Sequence, residues 1–125
     1  MIHLDTHVAL WLAQRRSGVL GAAALRLVRK HPWTLSPFVL LELEILHEIG
    51  RIKASPDTVL KALGEVGEVS ISAVSAEQAV QAARPLTWTR DPMDRLIVGA
   101  ALAEKRPLVT ADGVILKHLP SAVWD

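Results

Sequence analysis

The sequence has 125 residues, half of them apolar, a formal net charge of +1 and no cysteine. That is enough apolar material for one core and one domain over residues 1–125; it excludes intrinsic disorder, disulfides and thiolate metal sites, and a polybasic coat for nucleic acid. Apolar runs break well before the ~18 residues a membrane span needs, and the N-terminus lacks a basic n-region, so neither a span nor a signal peptide is expected and a reducing cytoplasm is the compartment that suits the chain.

Met1–Leu4 reads as a short buried strand ending at Asp5, and Thr6–Gln14 as a short helix carrying Val8, Leu10, Trp11 and Leu12. Ala22–Lys30 is a second helix, with Leu25 and Val28 on one face and Arg26, Arg29 and Lys30 pointing away. Trp33–Leu35 is a strand. Ser36-Pro37 then combines an N-cap with a proline in the first turn, which starts a helix to about Gly50. Ser55-Pro56-Asp57 repeats the signal for a helix to about Val66. Val69–Ser72 is a strand, and Ser75 caps a helix to Arg84 with Glu77-Gln78 in its first turn. Asp91-Pro92 opens the most apolar helix, to about Lys105. Pro107–Thr110 is a strand, Asp112-Gly113 a turn, Val114–His118 one helical turn, and Ala122–Trp124 an edge strand. Strands alternate with helices, so the expected class is α/β with a mainly parallel central sheet.

Ligands of open parallel sheets bind outside the carboxyl ends of the strands. Four acids are expected near that edge. Asp5 follows a buried strand, where a carboxylate is costly unless paired or cation-bound; it could equally cap the helix from Thr6. Glu42 shares a helix face with Phe38, Leu41, Ile45, Leu46 and Ile49 and is its only charge. Glu44 and Glu48 fall on the other side. Asp91 fits an N-cap. Asp94 falls in the first turn, where an acid favours the helix dipole, yet it also shares a face with Ile97, Val98 and Ala101. Asp112 follows a strand and also fits an Asp-Gly turn.

Other chemistries lack their residues. The five histidines, His3, His7, His31, His47 and His118, show no zinc-ligand spacing, and no phosphate-loop or dinucleotide glycine pattern occurs. No serine sits in a GxSxG setting. Trp11, Trp33, Trp88 and Trp124 are expected in core or interface packing rather than base stacking. Arg15, Arg16, Arg90 and Arg95 are solvated by default, with a phosphate path as the alternative.

Read in order, Leu4-Asp5-Thr6-His7, Ser36 with Glu42 six residues on, Arg90-Asp91-Pro92-Met93-Asp94-Arg95-Leu96-Ile97 and Leu108-Val109-Thr110-Ala111-Asp112 resemble the PIN-domain family. Within it they are similar to the VapC-like toxins of bacterial and archaeal toxin–antitoxin pairs. The resemblance spans nearly the whole chain. It implies a three-layer sandwich, with Asp5, Glu42 and Asp94 as the core acids, Asp112 as a fourth and more variable one, and Thr6 and Thr110 as small polar neighbours. Thr89 stands where many relatives carry His, and Leu46 where many carry Lys; neither is an acid of the set. The resemblance further implies an RNA substrate, a homodimer and a partner antitoxin whose segment lies across the acidic groove. Val8, Trp11 and Leu12, or the helix at 37–50, are the apolar surfaces expected to serve as interface.

Clustered carboxylates would hold protons unless a cation neutralised them. An all-oxygen donor set suits Mg²⁺ or Mn²⁺. The expected activity is therefore metal-dependent hydrolysis of RNA phosphodiester bonds, with Asp5 and Asp94 on the main ion, Glu42 holding it or positioning water, and Asp112 supporting a second ion. A haloacid-dehalogenase-like phosphatase would need a second acid where His7 stands, and a receiver domain would need paired N-terminal acids and a late lysine. A PIN-like binding or scaffold module without catalysis is the remaining alternative, against which stands the retention of all four acids.

Overall fold

The structure, a computed structural model, describes all 125 residues. Five short strands, β1 (Ile2–Leu4), β2 (Trp33–Leu35), β3 (Val69–Ile71), β4 (Leu108–Val109) and β5 (Ala122–Val123), form one sheet in the order β3-β2-β1-β4-β5. Every pairing is parallel, with His3 opposite Thr34 on one side and Leu108 on the other. The expected mainly parallel sheet is thus wholly parallel, and Ala122–Val123 is its edge. Apart from His3 and Thr34, apolar residues fill β1, β2 and β4, and every residue of these strands is buried, as a sheet covered on both faces requires.

Seven helices flank the sheet: α1 (Thr6–Ala13), α2 (Ala22–Lys30), α3 (Pro37–Glu48), α4 (Pro56–Val66), α5 (Ala76–Ala83), α6 (Pro92–Ala103) and α7 (Gly113–His118). The chain steps outward from β1 to β3, then returns to the far side of β1 as β4. Right-handed crossovers stepping in opposite directions lay their helices on opposite faces, which makes the layers. The reversal also opens a crevice between β1 and β4 at their carboxyl ends.

Local signals explain most helix starts. Ser36 and Ser55 each accept a hydrogen bond from the third residue beyond, and a proline follows each. Ser75 and Gln78 close a reciprocal capping box. Asp91 accepts from the backbone N–H groups of Met93 and Asp94.

Several expectations need correction. Val8 and Leu12 are core, not interface, because α4 covers the outer side of α1. In α3 the buried residues are Val39 and Leu43, whereas Leu41, Ile45 and the C-cap residue Ile49 are exposed. Glu42 therefore lies between a packed and an open side. Asp112 is the N-cap of a six-residue helix, accepting from Val114 and Ile115, and Gly113 has no positive φ, so no Asp-Gly turn forms. A short 3₁₀ turn at Ser17–Val19 had no expected counterpart.

Candidate functional site

Asp5, Glu42, Asp94 and Asp112, together with His7, Trp11 and Ala111, line one cleft of about 260 Å³. All four acids chosen from the sequence are brought together. Asp5 leaves β1 in an extended conformation, and Asp112 follows β4, so the two flank the crevice at the topological reversal. Asp94 comes from the first turn of α6 and Glu42 from the second turn of α3.

Asp5 is held by two donors. The Thr6 N–H reaches one oxygen at 2.8 Å, and the buried Thr110 hydroxyl donates to the other at 2.6 Å. The same hydroxyl accepts from the Asp112 N–H at 3.0 Å. Thr110 thus fixes the spacing of two acids from one oxygen. A helix cap would bond its second or third N–H; Asp5 bonds only the first, so its carboxylate stays aimed at the cleft. The Thr6 hydroxyl is buried without a partner.

The electrostatics follow from crowding. Burial pushes the Asp5 pKa up, opposed by the bonds from Thr110 and Thr6 and by His7, and reinforced by Asp112. The Asp94 pKa is pushed up to about 7, first by burial, then by the charges of Asp91, Asp5, Asp112 and Glu42. Asp91 has two effects: it caps α6, and it is the largest charged neighbour acting on Asp94. A carboxyl in this state shares its site with a proton or a cation near neutral pH.

The donor set fits a hard divalent cation, since carboxylate oxygens dominate the cleft and no sulfur ligand exists. No three carboxylate or imidazole groups converge tightly enough to cage an ion. A hydrated Mg²⁺ needs no such cage, since it keeps several waters and takes one or two carboxylates.

His7 and Trp11 had no expected place in the site. Both lie on the first two turns of α1, where the start of the helix after Asp5 aims them at the cleft. Trp11 tilts against His7 with ring centroids 6.1 Å apart and against Trp124 at 5.8 Å. No spacing rule marks such residues. Arg15 and Arg16 lie elsewhere: α1 carries them roughly 15 Å from Asp5 at 1.5 Å per residue, and Arg15 approaches Glu65 at 3.9 Å.

Away from the cleft, buried His3 bonds Glu104 at the end of α6 at 2.6 Å, and Ser72 donates to the same oxygen at 2.7 Å. Burial lowers the His3 pKa against the pull of Glu104. Burial alone would raise Glu104, but the bonds from Ser72 and His3 and the charge of Arg106 outweigh it. His3 and Asp5 share a strand face. Glu104 and Asp94, at the two ends of α6, therefore meet β1 at two levels.

A match to the PIN domain covers residues 2–120. No curated protein matches the sequence. Among solved structures, a toxin–antitoxin complex from Klebsiella pneumoniae superposes with a TM-score of 0.69 at 16% identity, covering 98% of this chain and 96% of that one. VapBC2 from Rickettsia felis, bound to a DNA fragment from their promoter, gives 0.64 at 21% identity and 100% coverage of both chains. DNA-bound VapBC from Salmonella typhimurium gives 0.59 at 18% identity, covering 98% and 96%. At such identities the superpositions speak to the fold, and the match over residues 2–120 to the family: the chain belongs to the PIN-domain family.

Proposed function

We propose that the chain is a metal-dependent endoribonuclease, the toxin of a toxin–antitoxin pair, using Mg²⁺ or Mn²⁺ in a cytoplasmic setting. One observation carries this reading: Asp94 is raised to about 7 by burial and by the acids around it, in a cleft at the topological reversal. A protein gains nothing structurally from such repulsion, and a cation relieves it. PIN domains are commonly metal-dependent nucleases.

When bound, a divalent cation lowers the pKa of a water and neutralises charge on a phosphodiester. The chain's own residues do the rest. Asp5, oriented by Thr110 and Thr6, and Asp94, in the first turn of α6, would hold it. Glu42, lining the same cleft from α3, would help hold it or position the attacking water. Asp112 adds negative charge for a second ion. The Trp11 and His7 rings wall one side of the cleft.

The partners follow the same reading. The three similar structures are toxin–antitoxin or VapBC complexes, which supports an antitoxin for this chain. The exposed row Leu41, Ile45 and Ile49 supports a homodimer. No helix is long and apolar enough to cross a membrane.

A second reading, a PIN-type binding module without catalysis, draws on the absence of a three-ligand cage. Cleavage of total cellular RNA by purified, antitoxin-free protein separates the two. Cleavage in Mg²⁺ or Mn²⁺ that is lost both with EDTA and in Asp94→Asn supports the nuclease. Folded protein that neither cleaves RNA nor binds Mn²⁺ supports the module.

A further inference from the structure

On the side of α6 away from the acids lies a second cleft, about 270 Å³, between α5 and α6. Arg84, Arg90 and Arg95 surround it, and Val80, Pro92 and Leu96 supply its apolar lining. None of the three arginines has a carboxylate within 4.0 Å; the chain's ion pairs involve His3, Arg15 and Arg106 instead. In a protein of net charge +1 this is a marked local excess of positive charge.

Arg95 is not a loose surface residue. Its Nη2 donates to the Ala83 and Arg84 carbonyls at 3.3 and 2.8 Å, and its Nε reaches Ala83 at 3.4 Å. These bonds close the carboxyl end of α5 and hold the guanidinium in place, with Nη1 left free. Arg90 makes no side-chain hydrogen bond, and the exposed Arg84 reaches only Gln81, at 3.3 Å. The fixed guanidinium offers its free Nη1, and the exposed Arg84 and Arg90 beside it can each turn a forked guanidinium toward phosphate oxygens. The lining of Val80, Pro92 and Leu96 suits a ribose or base face.

The first turn of α6 separates this cleft from the acidic one. Adjacent residues of a helix diverge by about 100°, so Asp94 faces the acids while Arg95 faces α5. Arg90 and Pro92, at the start of that turn, line the arginine cleft. We propose that the Arg84–Arg90–Arg95 cleft is a binding subsite for the sugar–phosphate backbone of single-stranded RNA, flanking the phosphate held at the acids. This rests on the ribonuclease reading above. Continuity across one helical turn favours the strand being cut over an acidic peptide, which would need no connection to the acids.

The test is binding of a long, mixed-sequence single-stranded RNA in EDTA, where metal-dependent cleavage is off. Arg84→Ala/Arg90→Ala is compared with wild type; Arg95 is kept because it closes α5. Affinity is expected to fall about tenfold, and the slope of log Kd against log salt to drop by about 1.4, two phosphates at about 0.7 each. Arg26→Ala/Lys61→Ala removes the same charge from exposed positions on α2 and α4 and is expected to change neither. Unchanged melting temperatures show that both variants fold.

An equal loss in the Arg26/Lys61 variant would overturn the subsite in favour of diffuse charge. So would unchanged RNA affinity accompanied by lost binding of an oligoglutamate peptide, which assigns the cleft to an acidic protein segment. Wild-type protein that cleaves RNA, with a double variant that binds RNA as wild type does, defeats the subsite alone. Wild-type protein that neither binds nor cleaves RNA defeats the ribonuclease reading with it.

Discussion

Asp94 joins stability and function in one side chain. Its folded pKa of about 7 lies above the ordinary aspartate value of 3.8, so folding favours the protonated form. The stabilisation from that proton is whole below pH 3.8 and is lost as pH rises through about 7. Metal-free protein at pH 8 therefore carries the full repulsion among the acids. Asp94→Asn is expected to abolish cleavage yet raise the stability of metal-free protein at pH 8 by roughly 1 kcal/mol after allowing for solvent screening. Thermal unfolding reads this as about 3–5 °C, a gain that shrinks at pH 4.5, where the native carboxyl is already protonated. An equal gain at both pH values would show that charge repulsion is not its source. Wild-type affinity for Mn²⁺, followed by titration, is expected to rise from pH 6 to pH 8 as Asp94 ionises, and to stay flat in Asp94→Asn. Thr110 offers a separate measurement. Its hydroxyl donates to Asp5 and accepts from the Asp112 N–H, so Thr110→Val keeps the shape and removes both bonds. Activity is expected to fall about 10- to 100-fold, with the acid limb of the pH profile moved upward because Asp5 loses a bond that holds its pKa down. A lower rate with an unmoved profile would mean that Thr110 matters only for packing.

The elements α5 and α6 pack so closely that glycine is needed between them. A Cβ on Gly99 would stand 2.5 Å from the Ala79 carbonyl oxygen and 3.0 Å from the Ala83 Cβ. Both neighbours belong to α5 and cannot move without the whole helix. Gly99→Ala is expected to cost about 1–3 kcal/mol, seen as a lowered denaturation midpoint, and to loosen the Arg95 bonds to Ala83 and Arg84. An unchanged midpoint would show that the two helices slide freely. The sequence carried the starts of these helices plainly, since Ser75 with Gln78 and Asp91 with Pro92 are local signals that do not depend on the fold. Strand ends were less legible. Ser72 and Thr110 read as strand residues from their neighbours, but their side chains are committed to Glu104 and Asp5 across the sheet. Asp112 read as a turn because Asp-Gly favours one, and became a cap because a short helix follows. The acids emerged from family order and topology together; His7 and Trp11 did not, because nothing in their spacing distinguishes a cleft wall from a core or surface position.

At the scale of the whole molecule, the least legible feature was which side of α3 the protein keeps for itself. The pattern Phe38, Leu41, Ile45 and Ile49 is apolar at helical spacing, but so is Val39 with Leu43, and periodicity cannot tell an internal face from one reserved for a partner. The structure buries Val39 and Leu43 completely and leaves Ile49 62% exposed and Leu41 52% exposed. An exposed apolar row on a helix that also carries Glu42 links association to the site, since any partner seated there would press on the helix that presents that acid. A homodimer burying about 800 Å² per chain would have this row at its centre. Ile45→Glu/Ile49→Lys tests the idea with little cost to the helix, because a Glu four residues before a Lys supports helical structure. Wild-type protein is expected to sediment as a dimer and the double variant as a monomer, with stability of the isolated fold within about 0.5 kcal/mol, as for surface substitutions elsewhere. A monomeric wild type would instead assign the row to a different protein. In that case the antitoxin, rather than a second copy, becomes the partner that covers it, and the double variant should lose antitoxin binding while keeping its fold.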